Sequence, residues 1–345
     1  MTELGQPDLR LLVPRLVRHP ILAFGGNHAG WEGTSTLDWS NLTPRAHRCA
    51  SRAKATLNVT TPQKKKVPRH HLATELSRSE AEMDLARAAL LIAQEEYPQL
   101  SIELYLARLD QVAEEVQDRL ANESAPLLVL GEVIQTLYDR RRLRGNREAY
   151  YDPRNSFLND VLDRGVGIPL TLGIVVLEIG WRLGLPLQGV NFPGHFLVRY
   201  KGSEVQLLID PFDAGKIRFQ DQAQELLDQS YGGMVPVQDS FLQTASKREM
   251  LSRLLTNLKG IYVKIGDDRR ALAVVERLLM ITPTAPVESR SRGVLLARMG
   301  RHEEAAQQLE AYLRISPSAE DRRHVQDMVK ELRAGRHVGD DGGVA

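Results

Sequence analysis

The chain has 345 residues, 42% hydrophobic and 26% charged, with a formal net charge of +1. This is the balance of an ordinary globular protein of two or three units, and it makes neither nucleic acid nor an acidic ligand the default partner. A single cysteine, Cys49, excludes an internal disulfide and any cysteine-rich metal site, which fits a reducing compartment. No apolar run is long enough to span a bilayer and no secretory core opens the chain, so the cytoplasm is the expected location.

Residues 1–71 carry eleven Lys/Arg against four Asp/Glu and show no sustained period. They read as a disordered or weakly ordered basic extension. A helical stretch is expected over 72–145. Ser77-x-x-Glu80 has the form of a capping box, followed by Met83, Ala86, Leu90 and Ala93 on one face. Ile102, Tyr105, Leu109, Val112, Val116 and Leu120 form a second stripe, and Pro126 opens a third helix with Leu130, Val133, Ile134 and Leu137 inward. The arginines at 140–142, 144 and 147 read as a solvated helix end favoured by the helix dipole.

The core is expected over 146–230. Gly167-Ile168-Pro169 supplies a turn and a proline at the first helical position. The following residues are apolar on nearly every face, interrupted by Glu178 and Arg182 four apart, until Gly184 and Pro186 end the helix. Such a helix belongs inside a core. The period then changes to two: 195–200 and 205–210 read as antiparallel strands joined by Lys201-Gly202-Ser203-Glu204. That pairing brings His195 near Asp210, and a carboxylate beside an imidazole fixes its tautomer. Residues 219–230 read as a short helix, and 231–243 as a linker.

Residues 246–334 repeat at an offset of 34: Gly266, Ala271 and Pro283 recur as Gly300, Ala305 and Pro317. That period, with small residues at the helix crossing and proline ending the unit, is a tetratricopeptide signature. Two repeats fall below the three or so that stack alone, so the unit must lean on other structure. Residues 335–345 are a polar, glycine-rich tail read as disordered.

The ordered run G-I-P-L-T-L, L-G-L-P, N-F-P-G-H-F-L-V and L-I-D-P-F resembles the transglutaminase-like core of bacterial SirB-type proteins. The resemblance covers roughly residues 70–335 with the repeats. It implies a papain-like α+β fold with a nucleophilic cysteine at the start of the central helix, and His195 and Asp210 as the family's His and Asp. The cysteine slot falls at about Pro169 to Thr171, and none of those is cysteine. The expected architecture is predominantly helical α+β. It has a transglutaminase-like domain over 72–240, with central helix against a small antiparallel sheet, and a tetratricopeptide pair over 246–334.

Three readings of the pair follow. His195 can be a core histidine bonded to Asp210; the cleft can be retained for binding, with Asn155, Asn191, Pro193 and Gly194 around it; or a hydrolase or transferase can use an unorthodox nucleophile. Thr171 is the nearest hydroxyl to the slot and Ser156 a second one, whereas Cys49 lies far away in sequence. His195 and Asp210 could be two ligands with Asp213 nearby, but no further His sits at ligand spacing, so no metal or cofactor is expected. The leading expectation is a non-catalytic interaction or regulatory adaptor, with protein or peptide partners through the repeats and the cleft, and no membrane partner. The alternative is a papain-like enzyme acting on an amide or isopeptide bond.

Overall fold

The computed structural model describes residues 66–121 and 123–337. In chain order the helices begin with α1 (Lys66–Leu76), α2 (Leu85–Gln94), α3 (Ile102–Leu120) and α4 (Pro126–Ile134), the last continued by a π-helical turn, Gln135–Arg140. Strand β1 (Arg144–Gly145), helix α5 (Leu158–Arg164), strand β2 (Val166–Gly167) and helix α6 (Pro169–Arg182) lead into the sheet. Its strands are β3 (Leu187–Val190), β4 (Leu197–Lys201), β5 (Gln206–Asp210) and β6 (Lys216–Phe219), joined after helix α7 (Ala223–Tyr231) by β7 (Thr244–Ala245). Helices α8 (Lys247–Lys264), α9 (Asp268–Ile281), α10 (Pro286–Arg298), α11 (His302–Ile315) and α12 (Arg322–His337) complete the chain.

The described residues form two compact units that are discontinuous in sequence. One holds 103–150 and 159–245; the other holds 66–102, 151–158 and 246–337. The mixed, mainly helical architecture with one small antiparallel sheet is the one the sequence implied.

In the first unit the sheet runs β6-β5-β4-β3-β7, antiparallel throughout. Helix α6 is buried along its whole length except the final turn. Two glycines let the sheet come close to it. A Cβ on Gly173 would sit 2.4 Å from the Phe196 ring, and one on Gly180 would sit 2.2 Å from Leu187. Gly184, at φ +71°, closes the helix with the paired bonds of a Schellman motif, Leu185 N–H to Gly180 O and Gly184 N–H to Trp181 O. The one wet edge behaves as its spacing suggested: Arg182 donates to Glu178 and, across to α3, to Asp110 at 2.7 Å.

The other face of the sheet, through Val190, Phe192, Leu197 and Leu208, is covered by Ala223, Leu226 and Leu227 of α7 and by Leu242. Residues 231–243, expected as a linker, are therefore part of this core: Tyr231, Val235, Val237 and Phe241 pack against it. Gln224 holds the segment by accepting from Val237 N–H at 2.8 Å and donating to Val235 O at 2.9 Å. Arg199 pins its end, donating to Leu242 O, Gln188 and Thr244. Val235, Val237, Phe241 and Leu242 are spaced through polar residues without a single period, which is why pattern reading passed over them.

In the second unit α9 and α11 span equivalent positions 34 residues apart, and Gly266 and Gly300 form the same left-handed turn at φ +75° and +74°. Ala271 and Ala305 are fully buried at the crossings. The first two helices belong to this unit too. Helix α1 starts at Lys66, inside the stretch expected to be weakly ordered, because Leu72 and Leu76 are buried and Arg69 finds acceptors on two other helices. The rest of the basic extension, with Cys49, lies outside the described residues, as does the tail beyond His337; helix α12 runs through 335–337. The capping box expected at Ser77 and Glu80 is not used. Ser77 donates to Thr74 O, Glu80 accepts from Arg248 at 2.8 Å, and Asp84 caps α2 by accepting from Arg87 N–H at 2.8 Å.

A buried ionic node joins these helices. Glu95 is 7% exposed and accepts from Arg69 at 2.9 and 3.2 Å, and it pairs with Arg277 of α9, itself 6% exposed. Arg69 also donates to Glu276, and Glu96 next door accepts from Arg270 at 2.7 Å. Burial pushes the Glu95 carboxyl up, but the hydrogen bond from Arg69 and the charges of Arg277 and Arg69 outweigh it and hold the group below the usual glutamate range.

Two outcomes follow. Glu95→Ala leaves Arg277 buried without its counter-charge and should lose about 3–5 kcal/mol at neutral pH. Because the folded-state pKa of Glu95 is depressed, its contribution is complete above the unfolded value of about 4.3 and is lost as pH falls through the folded value. Denaturant midpoints for parent and variant should therefore converge in acid. Gly173→Ala gains about 1 kcal/mol of helix propensity but forces Cβ into the Phe196 ring, an overpacking cost of about 1–3 kcal/mol. The variant should be less stable than the parent in the same denaturant titration.

Candidate functional site

Phe192-Pro193-Gly194-His195 closes as a β-turn, with His195 N–H donating to Phe192 O at 3.0 Å. Proline at the second position and Gly194 at φ +71° in the third are the residues a type II turn demands. Phe192 is fully buried and anchors the turn in the sheet core. The turn delivers His195 just ahead of β4, which begins at Leu197, two residues later than the strand expected from the sequence. Asn191 and Pro193 are half-buried beside it, and Gly194 is exposed.

Asp210 is the last residue of β5 and is buried. One oxygen, Oδ1, accepts from the backbone N–H groups of Phe212 and Asp213 at 3.0 and 3.2 Å, an Asx turn that starts the reversal into β6. The other, Oδ2, faces His195 Nδ1 at 4.0 Å; the histidine side chain is 20% exposed and the aspartate 3%. At that separation the contact is electrostatic rather than a hydrogen bond. The structure thus brings His195 and Asp210 together, as antiparallel pairing of the two strands required.

Several groups hold the reversal in place. Tyr138, from the π-helical turn, donates to Pro211 O at 3.0 Å. Its ring and Ile134 lie so close to Gly215, at φ +69°, that a Cβ there would be 2.6 Å from the ring. Phe212 lies over Gly145 of β1, where a Cβ would be 2.5 Å away; Arg147 stacks on its face at 5.0 Å and Tyr150 meets it edge-on at 5.9 Å. Asp213 lies 3.6 Å from Arg147 and 3.9 Å from Arg218, so it serves the turn and its ion pairs. Pro211, with Phe196, also packs against Gly173 of α6, which fixes the central helix beneath the residues that follow His195 and Asp210.

Thr171 stands at the start of α6, where the sequence placed the nucleophile slot. It is fully buried. Its hydroxyl accepts from Ile168 N–H and donates to Ile168 O, each at 3.2 Å, and a Cβ on Gly167 would lie 2.8 Å from that oxygen. Asn155 and Ser156 are buried in the other compact unit, Asn155 within a 3-10 turn capped by Asp152. Among the described residues no three His, Cys, Asp or Glu side chains gather as metal ligands, and no helix is long and apolar enough to cross a membrane.

Sequence reasoning missed Tyr138, Gly145, Arg147 and Phe212. Tyr138 falls four residues after Ile134 on the buried stripe of α4, a position that signals burial but not the partner. The Arg140–Arg147 run is largely committed: Arg140 donates to Glu132, Arg141 to Glu115, and Arg147 lies on Phe212.

Comparison with known proteins agrees with this organisation. Residues 103–256 match the transglutaminase-like superfamily, and residues 258–330 match a tetratricopeptide repeat family. A UPF0162 protein of Xylella fastidiosa is 35% identical over 251 residues, which cover 72% of this chain and 88% of the relative. A UPF0162 protein of Vibrio cholerae is 28% identical over 237 residues, 68% of this chain and 87% of the relative. F-box only protein 21 of Homo sapiens is 32% identical over 149 residues, 41% of this chain but 23% of that protein. No solved structure matches. With a transglutaminase-like domain followed by a C-terminal tetratricopeptide region, and a relative matched over most of its length, the chain belongs to the UPF0162 family.

Proposed function

We propose that this protein is a non-catalytic adaptor whose transglutaminase-like cleft recognises a peptide or amide group and whose tetratricopeptide region binds a protein partner. The observation that carries the reading is the state of Thr171. Acyl transfer in a papain-like site needs a nucleophile at the helix start, accessible to the substrate and to its base. Residues 103–256 contain no cysteine, and the hydroxyl closest to the slot is buried and engaged twice by the Ile168 backbone. What remains accessible is Gly194 with the half-buried Asn191, Pro193 and His195, an imidazole edge backed by a buried carboxylate and suited to accept or donate one hydrogen bond to an amide. Asn155 is buried in the other compact unit and takes no part in this recognition. A SirB-type role and a cytoplasmic location belong to the same reading, supported by the motif order and the lone cysteine.

The enzyme reading rests on a different observation, the partly exposed imidazole facing Asp210 across 4.0 Å. Catalytic contacts are often long before substrate binds. The two readings separate cleanly. Full-length protein should show no turnover of amide, ester or amine-acceptor substrates above the His195→Ala background, while immobilised capped peptides should bind the parent about ten-fold more tightly than His195→Ala, the loss of about 1.4 kcal/mol expected for one hydrogen bond. Turnover that dies with His195→Ala would establish the enzyme instead. Peptide binding indifferent to His195 would remove the cleft from the adaptor.

A further inference from the structure

We infer that Tyr138 is the positioning residue of the His195–Asp210 pair, holding the carboxylate in place through the carbonyl of Pro211. The inference rests on the reading of the pair as a functional site, and its test involves neither ligand nor turnover, so the two can fail separately.

Three features of the chain converge on this role. The first is the backbone that carries Tyr138. Helix α4 widens over Gln135–Arg140 into a π-turn, with Arg141 N–H reaching back five residues to Thr136 O at 3.0 Å. Such turns are short, rare and disfavoured, and they concentrate at functional sites. This one is braced from outside: Arg140 Nη1 donates to Thr136 Oγ1 at 2.7 Å and to Glu132 at 2.5 Å, so one side chain spans the widened turn. An ordinary α-turn would serve if the need were only to bury an aromatic ring.

The second is the hydroxyl. Tyr138 is buried, and its O–H has a single acceptor, the carbonyl of Pro211, in the peptide next to Asp210. A phenylalanine would fill the same space, so the oxygen is retained for that bond. Burial pushes the Tyr138 hydroxyl well above the usual tyrosine range, and the nearby Asp210 charge pushes it further, so it remains a donor at every working pH.

The third is the absence of slack. Gly215 N–H closes the reversal onto Asp210 O at 3.0 Å, and Gly215 has no room for a side chain between Tyr138 and Ile134. Asp210 Oδ1 is spent on the turn, which leaves Oδ2 alone facing His195. Movement of Pro211 therefore moves the carboxylate that the imidazole sees. The charged groups around the reversal are Asp210 on β5, Lys216 opposite it on β6, Asp213 in the turn, and Arg147 and Arg218, which flank Asp213.

The test is the titration of the His195 ring by NMR in the full chain. Tyr138→Phe should lower the His195 pKa by about half a unit, because the carboxylate is no longer held in its place facing the ring, 4.0 Å from Nδ1. Leu309→Ala, a core truncation under α12 in the other unit, supplies a control that loses stability without touching the reversal or the His195 turn. If Tyr138→Phe does not fold, Thr136→Val removes one of the two bonds by which Arg140 braces the π-turn and should move His195 in the same direction. An unmoved His195 in Tyr138→Phe, or in Thr136→Val when that is the variant that folds, overturns the inference. So does an equal shift in Leu309→Ala, since the effect would then follow stability alone.

Discussion

A helix apolar on nearly every face has to be enclosed, and the first compact unit is built around that requirement. Helix α6 carries apolar residues on every side, so it is packed against the sheet through Gly173 and Gly180 and against α3 and α4 on its other flank. Close approach at two glycines fixes the distance and rotation of helix and sheet more tightly than larger side chains would, because interiors pack at near-crystal density. The two ends are fixed in different ways. Thr171 closes the N-terminus on the Ile168 backbone, and Gly184 closes the C-terminus in a left-handed turn. The same contacts reach the site, since Phe196 and Pro211, which meet at Gly173, are the residues immediately after His195 and Asp210.

The second unit solves a different problem. A pair of tetratricopeptide repeats exposes too much apolar surface at its ends to be self-sufficient. Here α12 covers one end through Val325, Met328, Val329 and Leu332, and α1 and α2 pack with α8 and α9 at the other. That second contact is held by charge as well as burial. Glu95 sits between Arg69 and Arg277, and Arg248 donates to Glu80, Leu76 O and Arg78 O. A buried ion pair of this kind adds little over a well-packed apolar contact, yet it punishes wrong pairings severely, which suits an interface between helices 170 or so residues apart in sequence.

Much of this was legible in the sequence, for reasons that can be named. The central helix was readable because glycine and proline punctuate both its ends and its polar edge is confined to Glu178 and Arg182. The repeats were readable because their period is independent of any single residue. The approach of His195 to Asp210 followed from antiparallel pairing and a short loop. The rest depended on contacts without a local signal. The grouping of α1 and α2 with the repeats is made by Arg69, Glu95 and Arg277, separated by up to 208 positions. The packing of 231–243 is made by scattered apolar residues and one glutamine. Tyr138 went unread, because neither the π-turn nor its acceptor leaves a periodicity. Thr171 stood at the expected slot, but only its bonds to Ile168 show what its hydroxyl does.

Thr171, where the family resemblance puts the nucleophile, has its hydroxyl engaged by the Ile168 backbone, while His195 and Asp210 face each other across 4.0 Å. If His195 is kept for recognition, it adds little to stability and can even lower it, as residues retained for function do. The most direct test is the denaturant midpoint and slope of His195→Ala beside the parent chain. This account predicts an unchanged or higher midpoint at equal slope. A loss of about 2 kcal/mol or more, the cost of breaking a buried polar pair, would contradict it and make the pair a structural element of the core.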